Sequence, residues 1–335
     1  MIFKGKKGVF PALLFFCGAL LPVAGNVQAA GVAVQPAGMD KKVEKTTTIQ
    51  INQNIVVVSG RMSLGWIHGD SNELVYDPGT GRKISELNWE IDNVYMLGIG
   101  GSLSPLSWLN FNADIWFRVN DGDGEMNDYD WFLDSPEYTH WSNHPDTDLT
   151  TGLMFDINAE MTFYEVMGSK FFGIAGFKYD NWEWESFGGD YVYWGVSGSF
   201  PGGQNVITYE QKFYTPYVGI GFKSNLSETP ITFSGRIIGS TFVTAEDKDQ
   251  HHLRNLVFEE DFDSGNMFAV DLSGAYNFTD QLSLLVSYHF QRYDEMKGET
   301  TITNLTTGAV TKVDGDAAGI DHSSGMLSLS AVYTF

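Results

Sequence analysis

Beyond residue 29 the chain contains no run of the ~18–20 apolar residues that a membrane-spanning helix requires. Its last nine residues nevertheless alternate. Leu327, Leu329, Ala331, Tyr333 and Phe335 interleave with Ser328, Ser330, Val332 and Thr334. That is the period-two signature of a strand with one apolar face. Aromatic residues make up 14% of the chain and glycines number 37, unusual for an ordinary water-soluble domain. An exported chain that meets lipid without helices must close its sheet, because open strand edges cannot be hydrogen-bonded in a bilayer.

Export is read from the first thirty residues. Lys4, Lys6 and Lys7 precede a mostly apolar stretch from Val9 to Val23, and Val27-Gln28-Ala29 offers small residues at a cleavage site. Residues 1–29 are therefore expected to be a signal peptide, and 30–45 a flexible leader. The single cysteine, Cys17, lies in that segment, so residues beyond 29 are without thiol chemistry or disulfides. Removal of the three lysines takes the formal charge from −22 to −25. That charge disfavours nucleic acid and attracts cationic substrates.

Segments like the last one recur near 54–68, 88–102, 106–120, 149–166, 169–186, 205–225, 230–248, 258–278, 281–297 and 323–335. Short joins such as Met167-Gly168-Ser169 and Thr279-Asp280-Gln281 alternate with long polar stretches at roughly 69–87, 121–148, 187–204, 249–257 and 298–322. Short turns on one side and long loops on the other are the asymmetry of outer-membrane barrels. The expected fold is all-β, a ten-stranded antiparallel transmembrane β-barrel over 46–335, with long extracellular loops and short periplasmic turns. Several segments exceed the ~9–11 residues needed to cross a bilayer, so the barrel should project outward.

Two polar clusters could carry chemistry. The stretch 121–148 is rich in acids, with Asp128 and Asp130 two residues apart and so on one face of an extended chain. Close carboxylates ionise with difficulty, and one of them tends to keep a proton. A calcium loop starting at Asp121 would need glycine and glutamate where Met126 and Phe132 stand. The second cluster is Asp247-Lys248-Asp249-Gln250-His251-His252, in which Asp247, Asp249 and His251 share a face. A carboxylate beside an imidazole raises its basicity and makes a general base near neutral pH. No third ligand with a metal-binding spacing accompanies the two histidines. No serine sits in a G-x-S-x-G elbow. For both clusters a solvated strand tip is the plain alternative.

From about residue 54 to 335 the chain resembles the omptin family of outer-membrane proteases. Met126-Asn127-Asp128-Tyr129-Asp130-Trp131 is similar to the family's catalytic aspartate segment, and Asn143-His144-Pro145-Asp146-Thr147 to its H-P-D-T string. Gly81 to Trp89, Ala175-Gly176, Gly188-Gly189-Asp190-Tyr191, Gly198 to Gly202 and Pro216-Tyr217-Val218-Gly219 follow in family order. The resemblance implies an endopeptidase that cuts beside basic residues in peptides or proteins, using water held between an Asp–His dyad (Asp249, His251) and an Asp pair (Asp128, Asp130). It further implies Glu73 and Asp247 in the pocket for the residue before the cut bond. Asp146 would face the residue after it, with Met126 and Ile207 as apolar walls. No metal or cofactor is implied, although lipopolysaccharide is a candidate activator, and the barrel is expected to work as a monomer.

The chain departs from the family's pattern in Tyr138-Thr139-His140-Trp141 and in Phe177-Lys178-Tyr179-Asp180-Asn181. In the family's lipopolysaccharide clamp an arginine is replaced by Asn181 and a lysine by Asp263, which leaves Lys212. Two further readings compete with the protease: a catalytically inactive barrel acting as an adhesin or surface-binding protein, and a diffusion channel.

Overall fold

The computed structural model describes residues 56–335. The expected signal peptide (1–29) and leader (30–45) lie outside them. Thirteen strand segments form one antiparallel sheet that closes on itself: β1 (Val57–Tyr76), β2 (Lys83–Leu106), β3 (Leu109–Arg118), β4 (Gly124–Asp130), β5 (His140–Val166), β6 (Ser169–Phe187), β7 (Asp190–Tyr193), β8 (Val196–Ser199), β9 (Asn205–Asn225), β10 (Ile231–His251), β11 (Leu256–Asn277), β12 (Leu282–Asn304) and β13 (Val310–Thr334). β1 pairs with both β2 and β13, which removes the edges. β3 and β4 both lie between β2 and β5, β3 low and β4 high, and together make one stave. β7 and β8 form a small hairpin on the edge of β5. The ring therefore has ten staves.

The turns follow from local backbone chemistry. β5 passes to β6 through Met167 and Gly168, both at positive φ (48° and 79°), which is the two-residue turn that matches strand twist. Trp194 and Gly195 (53° and 77°) do the same for β7 and β8.

Near the short-turn end the outward residues are apolar and exposed: Met62, Leu64 and Trp66 on β1, Ile99 and Leu103 on β2, Val218 and Ile220 on β9, Leu284 and Val286 on β12, and Leu327 and Leu329 on β13. This is the lipid-facing belt. Along β1 and β12 it gives way to His68 and Asp70, and to Arg292 and Asp294. The staves run 19 to 27 residues wherever a single segment makes them, about twice what a bilayer needs. They continue well past the belt as hairpins.

The polar stretches are thus mostly strand. Asp77–Arg82, 131–139, 252–255 and 305–309 are the true turns, and Asp128 and Asp130 lie on β4 rather than in a loop. Outside the belt a stave has no lipid on its outer face, so polar residues occupy both faces and the apolar alternation disappears.

Candidate functional site

The upper barrel interior is packed with aromatics. Trp89 stacks on Tyr209 at 5.1 Å, Trp182 on His322 at 5.1 Å, and Phe213 on Tyr293 at 4.2 Å, all in the fully buried core. Above them the acids gather.

β10 carries Asp247, Asp249 and His251 on its inner face. The register sets Asp247 beside Gln211 of β9 and Glu260 of β11, Asp249 between Tyr209 and Phe258, and His251 between Ile207 and Leu256. His251 Nε2 lies 2.5 Å from Asp249 Oδ2. Arg254, in the turn that follows, donates to His251 Nδ1 at 3.4 Å. Nδ1 is therefore the acceptor and the proton sits on Nε2, the ring nitrogen next to the Asp249 carboxylate. Burial alone would lower the His251 pKa, but the neighbouring Asp249 carboxylate outweighs it and holds it above the ordinary value.

β4 is the third stave and β10 the seventh, so they stand nearly opposite across the lumen. Asp128 pairs with Leu87 of β2 and Ser142 of β5, and Asp130 with Ser85 and His140. Asp128 Oδ1 is shielded from solvent and has no hydrogen-bond partner. Burial and then the charge of Asp130 push the Asp128 carboxyl up to about 7, against the opposing pull of His251. Asp130 is raised too, mainly by burial. Asp128 is thus partly protonated near neutrality, while His251 across the lumen is held basic.

Below and beside these pairs, Glu73 and Asp247 are 3% and 6% exposed. Burial raises both carboxyls well above the usual range, and each other acid adds to the effect. Tyr209 donates to Asp247 Oδ2 at 3.0 Å. Met126 and Ile207 are buried at the wall. Asp146 is exposed on β5, close enough to Asp148 to raise its carboxyl pKa. Lys212 is on the outer face, 2.8 Å from Glu210 and 3.7 Å from Glu246.

His144 of the H-P-D-T string serves the architecture. Its Nδ1 donates to the Gly188 carbonyl at 2.6 Å and its Nε2 accepts from Ser142 at 3.0 Å. Burial lowers its pKa and keeps it neutral. Gly189 (φ +107°) comes so close that a Cβ there would lie 2.3 Å from the Asn143 carbonyl, which explains the paired glycines.

Three participants escaped the sequence reading: Glu260, Tyr209 and Arg254. Glu260 faces Asp247 only because the turn over 252–255 pairs His251 with Leu256, a register that no local sequence signal fixes.

Residues 54–335 match the model of the omptin family. The chain is 32% identical over 276 residues to the plasminogen activator of Yersinia pestis, covering 82% of this chain and 88% of that one. It is 28% identical to the outer membrane protease OmpP of Escherichia coli, covering 83% and 90%. The crystal structure of outer membrane protease OmpT from Escherichia coli superposes with a TM-score of 0.79 at 24% identity, over 83% of this chain and 97% of that chain.

Proposed function

The chain belongs to the omptin family of outer-membrane proteases, and from that premise we propose that it hydrolyses peptide bonds next to arginine or lysine with water activated by Asp249–His251 and Asp128–Asp130. The observation that carries the reading is the opposition of the two pairs across one lumen: a dyad held basic by Asp249, and a carboxyl pair held partly protonated by burial.

In this mechanism His251 takes a proton from the attacking water and later returns it to the leaving amine. The protonated member of the Asp pair donates to the oxyanion as the tetrahedral intermediate forms. No bond to the protein is made. Glu73 and Asp247 receive the basic side chain before the cut bond, Met126 and Ile207 wall the cleft, and Asp146 meets the residue after it from β5. The net charge of −22 steers basic peptides to the mouth. Lipopolysaccharide contact at Lys212 is weak in this reading, because Glu210 and Glu246 already occupy the ammonium group.

His251→Ala tests the mechanism. With a quenched Arg-Arg peptide, kcat/KM is expected to fall by roughly 10²–10⁴-fold, while the barrel keeps its heat-resistant mobility on gels. Turnover at the unmutated rate would remove His251 from the base role.

A further inference from the structure

We propose that Glu260 and Gln211 complete the pocket for the basic side chain and make it selective for a guanidinium over an ammonium group. The inference deepens the proposed peptidase reading and rests on it for the identity of the occupant.

The geometry begins with the register. Asp247 on β10 is flanked by Glu260 on β11 and Gln211 on β9, so the three side chains adjoin across neighbouring staves. Glu73 reaches the same place from β1, since Gln211 Nε2 donates to the carbonyl of Asn72, the residue before it, at 3.1 Å. All four side chains are buried, with exposures of 0 to 6%.

Each of them also has an unused acceptor. Glu73 Oε2, Asp247 Oδ1, Gln211 Oε1 and Glu260 Oε2 are shielded from solvent and without a hydrogen-bond partner. The Gln211 amide is fixed by its neighbours. Asn72 offers only a carbonyl, so the amide nitrogen must face it; that nitrogen also donates to the Tyr209 hydroxyl at 2.7 Å, which leaves the oxygen free. Buried acceptors are rarely left unpaired, because each costs about 1–3 kcal/mol. Four of them on adjoining side chains favour a ligand rich in donors.

A guanidinium has five N–H groups in a planar fork, an ammonium three on a single atom. Only the first can satisfy four acceptors arriving from four different staves. No grouping of His, Cys, Asp or Glu suited to a metal ion occurs among the described residues.

Without a cation beside them these acids hold protons, and the Asp247 and Glu260 carboxyls hydrogen-bond to each other. Burial pushes the Glu260 carboxyl up to about 8, and Glu73 and Asp247 are raised well above their usual range. Glu260 is faced by Asp247 and Asp249 from β10, Glu73 from β1, Tyr209 from β9 and the neutral Thr300 from β12. An arriving cation favours the ionised carboxylate, so its binding releases protons and tightens as pH rises toward about 8.

The test compares refolded full-length protein with Glu260→Gln and Gln211→Met, each checked for heat-resistant mobility. Arginine amide and lysine amide are titrated calorimetrically, and matched quenched peptides with arginine or lysine before the cut bond are assayed. Glu260→Gln is expected to weaken arginine amide and raise KM for the arginine peptide by roughly 10- to 100-fold. The lysine ligands should weaken by a clearly smaller factor, so that the arginine-to-lysine ratio falls. Gln211→Met should shift the same ratio in the same direction by a smaller factor. An arginine-to-lysine ratio unchanged in both folded variants overturns the proposal while leaving the hydrolysis intact. Selective arginine amide binding that Glu260→Gln abolishes, in a protein that cuts neither peptide, supports the subsite and overturns the peptidase reading.

Discussion

In the lipid-girdled half of the barrel Asp156 accepts from Tyr217 at 2.6 Å and Asn158 at 3.0 Å and meets Arg236 at 3.2 Å. Asp271 in the same layer takes Arg236 Nε at 2.7 Å and His289 Nδ1 at 2.7 Å. Lys178 is capped by Gln291 at 2.7 Å. In the projecting half Glu73, Asp247 and Glu260 are more deeply buried and Asp128 is half-buried, yet each has a shielded oxygen with no partner. One set of charges is closed upon itself and the other is held open. A carboxylate that has its cation acts as a structural cross-brace, whereas a buried one without it carries an unmet desolvation cost that a cation would relieve.

The largest effect expected from breaking this contrast is in the lower half. Arg236→Met leaves Asp156 and Asp271 without their shared cation. Removing one partner of a fully buried pair costs about 3–5 kcal/mol, and the partial exposure of these three groups to the lumen reduces that to roughly 2–4 kcal/mol. The unfolding midpoint in urea should fall accordingly, while the folded fraction keeps its kcat/KM. A variant as stable as the parent would mean that the lower cluster is no brace.

The upper half should answer to pH with the opposite sign. Glu260 in the folded protein titrates at about 8, against an ordinary 4.5. A carboxyl raised on folding contributes stability that is present below about 4.5 and lost as pH rises through about 8. At ~1.4 kcal/mol per unit, shared among coupled acids, the loss amounts to a few kcal/mol. Urea unfolding from pH 5 to pH 9 should show it, and Glu260→Gln should flatten the slope. A stability that is level across that range would mean the acids find partners, and the contrast between the halves would fail. Saturating arginine amide should flatten the slope as well, since the ligand supplies the missing donors.

The two halves also differed in how far they could be read from sequence. Within the belt, lipid imposes an apolar outer face, so residues 327–335 and the tight turn at Met167-Gly168 announced a barrel with ten staves. Above the belt both faces are polar. Met126-Asn127-Asp128-Tyr129-Asp130 then looks like an acidic loop, although β2 and β5 hold it as a strand. The dyad was legible because Asp249 and His251 are two apart on one strand, and periodicity alone puts them on one face. Glu260 was not, because its place depends on a pairing thirteen positions away that is set by the length of one turn. Gln211 was less legible still. Its role follows from an amide orientation that only its partners on other staves decide.

Asp146 offers the smallest effect and the finest test of where the open half ends. It has the acid chemistry of Glu73 but sits exposed, near Asp148. Water and salt screen such a charge, and exposed ion pairs contribute about 0–1 kcal/mol. Asp146→Asn should therefore lower kcat/KM by about fivefold or less on a peptide with a basic residue after the cut bond, and leave an alanine-containing counterpart unchanged. Added salt should erase the difference, since nothing shields an exposed carboxylate from counterions. A larger loss that survives high salt would show that substrate closes over Asp146 and buries it. The boundary between screened and unscreened acids would then be drawn by the bound peptide rather than by the barrel wall.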